Sequence, residues 1–258
     1  GIDRPVMREV SSSWKRRNVP LSEGVVNRLA RVAKEGMTER GYLDVNVDPT
    51  ERQNEGRRTI ILQATHGPRL VVEKLRFEGA GSLPEKDLRK AVLVHEPRLF
   101  GLSRSHPGPS ALEESRLAVA DLYARSGFAE VRVEAAMEGD GDGRTVVFRV
   151  AEGPRRTIGS LAFPGAAAIA SDELRRVAKL SEGQPWWPEQ DEKTAKALKK
   201  EYARHGFDEA VVTPRHGAPD AEGRLPLVFE VVEGRAYRLG EVAVRGNYKT
   251  RTKRILSL

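Results

Sequence analysis

The residues best equipped for chemistry are five histidines, His66, His95, His106, His205 and His216. No two of them stand four apart, and no His-Glu-x-x-His occurs, so their spacing forms no metal site. His66 closes a strand-like segment and His205 a helical one, which suits surface or capping roles. With no cysteine in 258 residues, a thiol nucleophile, a disulfide framework and a thiolate metal centre are excluded. There is no Gly-x-Ser-x-Gly nucleophile elbow and no phosphate-binding loop. Glu138, Asp140 and Asp142 flank Gly139, Gly141 and Gly143 and could offer oxygens to Ca²⁺. The further acidic positions and distal Glu of a calcium loop are missing, so a hairpin turn is expected. Gly79-Ala80-Gly81 mimics part of a dinucleotide loop, but Pro84 stands where its third glycine belongs. Pro185-Trp186-Trp187-Pro188 spells a chromatin-reader tetrapeptide, yet it precedes an amphipathic helix. One of its tryptophans is expected on the core. No catalytic constellation remains, no cofactor is implied, and the expectation is a protein that is not an enzyme.

Lys and Arg number 44 against 37 Asp and Glu, a formal charge of +7. These charges are interspersed, as in Glu113-Glu114-Ser115-Arg116, with no basic block between aromatics, so nucleic acid is not an expected partner. An anionic membrane surface stays compatible with the charge. At 39% hydrophobic and 31% charged residues the composition is that of a folded domain. No apolar run reaches the roughly 20 residues of a membrane helix.

What organises the chain is an internal repeat. Gly67-Pro68-Arg69 opens a strand-like run that ends at Gly79. Gly153-Pro154-Arg155 opens another, ending at Gly165, and Gly234 a third, ending at Gly246. A second marker keeps nearly the same period: Tyr123-Ala124-Arg125-Ser126-Gly127-Phe128 matches Tyr202-Ala203-Arg204-His205-Gly206-Phe207, with a weaker copy in Met37 to Tyr42. Each unit reads as a strand (70–78, 156–163, 237–245), a short helix (83–94, 172–181) and a longer helix (22–40, 111–126, 189–205). Ser82 with Glu85, Ser110 with Glu113, and Ser171 are expected helix caps. The marker glycine should end the longer helix in a left-handed conformation. An alternating strand (42–47, 128–133, 207–213) and a closing strand (58–64, 145–150, 225–232) complete the unit. Residues 4–14 read as a helix without a strand before it.

This order, together with the closing elements Val150-Ala151-Glu152-Gly153 and Val232-Glu233-Gly234 and the reopening Val244-Arg245-Gly246-Asn247, resembles the polypeptide-transport-associated, or POTRA, domain. The resemblance covers essentially the whole chain. It implies an α+β fold of tandem repeats, each strand–helix–helix–strand–strand, with a three-stranded mixed sheet and two helices on one face. The divisions are then 1–69, with its first strand missing, 70–155, 156–236, and the start of a further truncated repeat at 237–258. The chain reads as a fragment. POTRA arrays precede an outer-membrane β-barrel of the BamA or TamA type or a two-partner secretion transporter, and this sequence holds no barrel signature. The resemblance therefore implies a location on the periplasmic side of a Gram-negative outer membrane. The implied partners are unfolded outer-membrane polypeptides and accessory periplasmic lipoproteins.

In the family's sheet the last strand is central, which leaves the second strand at an open edge. Pro49 and Pro214 are expected at the ends of that strand, where a missing N–H is tolerated. Arg132 between Val131 and Val133 gives the polar outer face of a guarded edge. Such an edge can accept an extended chain through main-chain hydrogen bonds that demand no particular sequence. The candidate contact residues are Leu43, Val45 and Val47; Ala129, Val131 and Val133; and Glu209, Val211 and Thr213. The alternative is a scaffold that docks partner proteins without touching substrate.

Overall fold

The computed structural model describes residues 2, 4–15, 22–55, 57–97, 104–238 and 240, in two compact units, Gly1–Arg155 and Arg156–Leu258. The first runs α1 (Arg4–Lys15), α2 (Glu23–Thr38), β1 (Asn46–Asn54), β2 (Arg57–Thr65), β3 (Val71–Glu78), α3 (Glu85–Ala91), α4 (Pro109–Arg125), β4 (Arg132–Glu138) and β5 (Gly143–Ala151). The second runs β6 (Thr157–Ala162), α5 (Ser171–Ala178), α6 (Pro188–Arg204), β7 (Val211–His216) and β8 (Arg224–Val232). The strand expected at 237–245 lies outside the described residues except for Tyr237, Arg238 and Gly240.

The sheets follow the expected mixed order. β5 lies between β3 and β4, parallel to the first and antiparallel to the second, and β8 lies likewise between β6 and β7. Both parallel pairings slip register at one place, between Val72 and Lys74 and between Ile158 and Ser160, equivalent positions in the two copies. β1 and β2 form a two-stranded antiparallel sheet.

Alternate residues of each sheet meet the helices. Val72, Leu75, Val146 and Phe148 pack with Leu88, Val119, Tyr123 and Phe128, and all eight are buried. Residues 1–69 have their own cluster: Val6 and Val10 from α1 pack with Ala30, Ala33 and Met37 from α2 and with Val45 and Val47. Burying each of the valine and methionine side chains contributes about 1.5–3 kcal/mol.

The marker glycines end the long helices as expected. Gly41, Gly127 and Gly206 have φ of +79°, +99° and +89°. The serine caps are corrected. The residues that precede α3, α4 and α5 are Pro84, Gly108 and Ala170, and none of these three caps its helix through its own side chain. Proline at the first turn of α4 already matches the missing donor there. The serines are thereby free for longer reaches. Ser110 donates its N–H and hydroxyl to Glu39 at 3.0 and 2.9 Å, so a carboxylate from the end of α2 caps α4.

The Gly-Pro-Arg openings have a structural use too. Arg69 donates to the Arg40 carbonyl at 2.7 Å, and Arg155 donates to the equivalent Ser126 carbonyl at 3.2 Å. Around Pro68 the backbone is also bonded: Leu43 N–H to Pro68 O at 3.0 Å, Gly67 N–H to Leu43 O at 2.7 Å, and Leu70 N–H to Gly41 O at 2.7 Å. The Gly67–Leu70 segment is thus tied to the end of α2 and belongs to the same compact unit.

Candidate functional site

β1, β4 and β7, the second strands, are each bonded to a neighbouring strand on one side only, and β2, β3 and β6 stand at the opposite edges of the three sheets. Their approach is set by the left-handed glycine. After Gly127 the Phe128 N–H returns to the Tyr123 carbonyl at 3.1 Å, and the Phe128 ring meets Tyr123 edge-on at 5.6 Å. Phe207 repeats this on Tyr202, with 3.0 and 6.1 Å. A turn follows, Val131 N–H to Phe128 O at 3.2 Å and Ala210 N–H to Phe207 O at 3.1 Å, and only then does the strand begin.

That turn displaces part of the expected site. Val47, Val133, Val211 and Thr213 lie in edge strands, whereas Leu43, Val45, Ala129, Val131 and Glu209 lie in the segments before them. The strands in turn run past the expected limits, to Asn54, Glu138 and His216. The third set is also out of phase. Val133 is buried on the helix side, and its counterpart in β7 is Val212; Val211 and Thr213 face away, exposed. A one-residue slip in a strand exchanges its faces. Val211 pairs with Val232 across the sheet, and the two form an exposed apolar pair. The prolines are interior to the edges: Pro49 opposes Leu62 and Pro214 opposes Phe229, three residues after each strand begins.

The recurring Tyr and Glu of the two markers meet in space. Glu152 accepts the buried Tyr123 hydroxyl at 2.9 Å, and also the Ser82 N–H at 2.8 Å and Ser82 hydroxyl at 2.5 Å. The end of β5, the end of α4 and the loop after β3 are so joined at one carboxylate. Burial opposes the charged form of Glu152, but the Ser82 and Tyr123 hydrogen bonds outweigh it and hold the carboxyl below its ordinary range. Burial, then Glu152, push the Tyr123 phenol upward. In the other unit Glu233 accepts the Ala167 and Ala168 N–H groups at 2.7 and 2.8 Å. It too lies below its ordinary range, because those backbone donors outweigh its burial. The Tyr202 hydroxyl is buried beside Glu233 without a hydrogen bond of regular geometry. Burial and then the Glu233 charge push it up to about 12. Sequence repetition flagged all four residues, but the junction became visible only when the loop was folded over them.

The remaining motifs settle into structural places. A Cβ on Gly79 would lie 2.2 Å from the Val150 carbonyl oxygen, and one on Gly165 2.1 Å from that of Val231, so these glycines let the chain leaving the first strand pass close against the central one. Gly139 to Gly143 form the β4–β5 turn, with Arg144 donating to the Gly139 carbonyl. Trp186 is the tryptophan on the core; its indole donates to buried Asp191 at 2.9 Å and its ring lies 4.8 Å from that of His216. Burial pushes the Asp191 carboxyl up, against the Trp186 hydrogen bond and the His216 charge. His205 lies near Glu173 and Glu201, their potential ligand atoms within 4.8 Å, a grouping across two helices that spacing along one could not reveal. His205 Nδ1 bonds the Glu201 carbonyl at 3.0 Å, and the Glu201 carboxylate pairs with Arg204 at 2.8 Å.

A central closing strand flanked by one parallel and one antiparallel neighbour, under two helices and twice repeated, defines a tandem α+β repeat protein whose accessible backbone lies along its edges. The chain belongs to the POTRA family, described as a surface antigen variable number repeat, whose model matches residues 70–153 and 156–234. It is 24% identical over 212 residues to the outer membrane protein assembly factor BamA of Nitratidesulfovibrio vulgaris, covering 80% of this chain and 27% of that protein. It is also 24% identical over 236 residues to BamA of Neorickettsia risticii, covering 90% and 31%. The chain thus spans less than a third of the length of the curated relatives it matches. Among solved structures, the crystal structure of Haemophilus influenzae BamA POTRA3-5 matches at a TM-score of 0.45 and 18% identity, over 74% of this chain and 78% of that one. No helix among the described residues is long and apolar enough to cross a membrane.

Proposed function

We propose that this chain is the periplasmic, polypeptide-receiving array of an outer-membrane protein assembly machine. It receives extended, unfolded outer-membrane polypeptides at its sheet edges and docks accessory lipoproteins. We further propose the divisions 1–69, 70–155, 156–236 and 237–258 as successive repeats, and an anionic membrane surface as a further contact. The observation that carries the reading is that the second strands β1, β4 and β7 each lie at a sheet edge, bonded to a strand on one side only. Family membership and the relatives' designation as assembly factors agree with it.

The test is an NMR titration of the whole chain with an extended peptide from an outer-membrane barrel strand. Amide shifts along the edge strands that tolerate changes of peptide sequence are expected. Silence at every edge at millimolar peptide would refute reception. The scaffold alternative has its own support: Pro49 and Pro214 inside two edges, and the charged outer side chains of β4, are devices that keep an edge unpaired.

A further inference from the structure

The edges β3 and β6 already take bonds from their own surroundings, Leu75 from Glu96 and Arg89 and β6 from Gln184 and Arg175. The three second-strand edges β1, β4 and β7 are not equivalent, and the phase of their backbones separates them. In an antiparallel ladder, alternate residues turn their N–H and C=O toward the partner and away from it. In the second unit, Val231 N–H bonds Pro164 O at 2.9 Å on the β6 side, and Gly217 N–H bonds Pro226 O at 3.0 Å on the β7 side. Val231 pairs with Val212 and Phe229 with Pro214, so Val212, Pro214 and His216 turn their backbone groups outward. Proline has no N–H and its ring occupies that direction, so the middle of this outward row is blocked. Pro49 occupies the same place in β1 and interrupts its row between Val47 and Glu51.

β4 has alanine there. Val150, the partner of Val133, points its carbonyl toward Gly79 on the β3 side, so Val133, Ala135 and Met137 are the outward residues of β4. The Arg116 guanidinium confirms the phase by donating to the Val133 carbonyl at 3.4 Å, a long bond that an incoming strand could displace. Chain entering here would continue two faces. One carries Val133, Ala135 and Met137 against the core under α4; the other carries Arg132, Glu134 and Glu138.

We infer that β4, through the uninterrupted outward backbone of Val133, Ala135 and Met137, is the receptive one of the three second-strand edges, while Pro49 and Pro214 close the other two. The occupant is an extended polypeptide alternating apolar and polar residues, its apolar side toward α4. This rests on the proposed reading of the edges as polypeptide-receiving surfaces.

The experiment titrates the ¹⁵N-labelled full chain with a blocked peptide of about ten residues alternating valine and threonine, roughly the length of a barrel strand. The Val133, Ala135 and Met137 amides should shift first. Ala135→Pro should weaken binding about tenfold or more, while the spectrum of the rest of the chain persists; proline at this place is already housed in β1 and β7. Pro214→Ala should create a second responsive edge at Val212 to His216. Binding that survives Ala135→Pro, or that appears first in β1 or β7 of the unaltered chain, overturns the assignment of β4 yet leaves reception standing. No binding to the unaltered chain or to the Pro49→Ala and Pro214→Ala variants overturns both. Shifts at β4 that follow protein concentration without peptide would mean pairing with a second copy, and would also overturn the assignment.

Discussion

Replacing Glu152 by alanine removes one acceptor from three elements at once. The Tyr123 hydroxyl, on a fully buried side chain, is left without its partner, and an orphaned buried hydroxyl costs about 1–3 kcal/mol. Ser82 is exposed, so water replaces most of what its two bonds contributed. We expect a loss of about 2 kcal/mol in the Gly1–Arg155 unit, or a fall of about 4–8 °C in its melting temperature. Tyr123→Phe removes the hydroxyl together with its need for an acceptor and should cost only about 1 kcal/mol. The double variant Tyr123→Phe, Glu152→Ala should then cost less than the sum of the two single changes. Calorimetry of the full chain, with hydrogen exchange to attribute each transition, makes the measurement. Strict additivity, or a Glu152→Ala effect within about 0.5 kcal/mol of zero, would refute the reasoning. Glu233→Ala is the internal comparison. It loses backbone bonds but orphans no hydroxyl, and should cost less.

The same carboxylates predict an acid limb. Glu152 and Glu233 are held below the ordinary Glu value of 4.5 by hydrogen bonds that outweigh burial. Their stabilisation is present above that value and is lost as pH falls through the depressed folded pKa. Stability against urea should therefore decline below pH 4.5, and less steeply in Glu152→Ala. Asp191 has the opposite sign: burial raises its pKa above 3.8, so its contribution is lost as pH rises. Asp191→Asn keeps an acceptor for the Trp186 indole and should stabilise the second unit near pH 7 by about 1 kcal/mol, an advantage that shrinks toward pH 3 in the same urea assay. Gly79→Ala should cost about 2 kcal/mol or more, from positive φ and a Cβ placed 2.2 Å from the Val150 carbonyl. Gly81→Ala, whose Cβ would meet open space, should be near neutral in parallel melts.

The repeat was legible because both markers mark places where the backbone has little choice. Gly127 and Gly206 end helices in the left-handed region, and Gly79 and Gly165 sit where a Cβ would strike a carbonyl. The helix caps were misread because Ser82 and Ser110 satisfy polar groups far along the chain, Glu152 and Glu39, and local patterns carry no trace of such partners. The edge strands were placed early because Phe128 and Phe207 look like strand residues. They are instead the hydrophobic closures of α4 and α6, and the turn each starts shifts the strand onset. In the third set, pattern also lost the face. Val211 and Thr213 alternate as well as Val212 and Pro214 do, and only pairing with β8 tells which pair meets the helices.

The tie at Glu152 has no counterpart in residues 1–69. Met37 and His66 stand where Tyr123 and Glu152 stand in the next copy. Met37 is fully buried and apolar, so it needs no acceptor, and His66 turns its Nδ1 to the Gly67 carbonyl at 2.8 Å. The carboxylate and the phenol are absent together, as expected if each is useful only in the presence of the other. A Tyr at position 37 alone would bury a hydroxyl with nothing to receive it. Met37→Tyr should therefore destabilise the first unit by about 1–3 kcal/mol. Adding His66→Glu should recover part of that loss in the same melts. Failure of the second change to rescue the first would show that packing alone, and no polar pairing, ties these two positions.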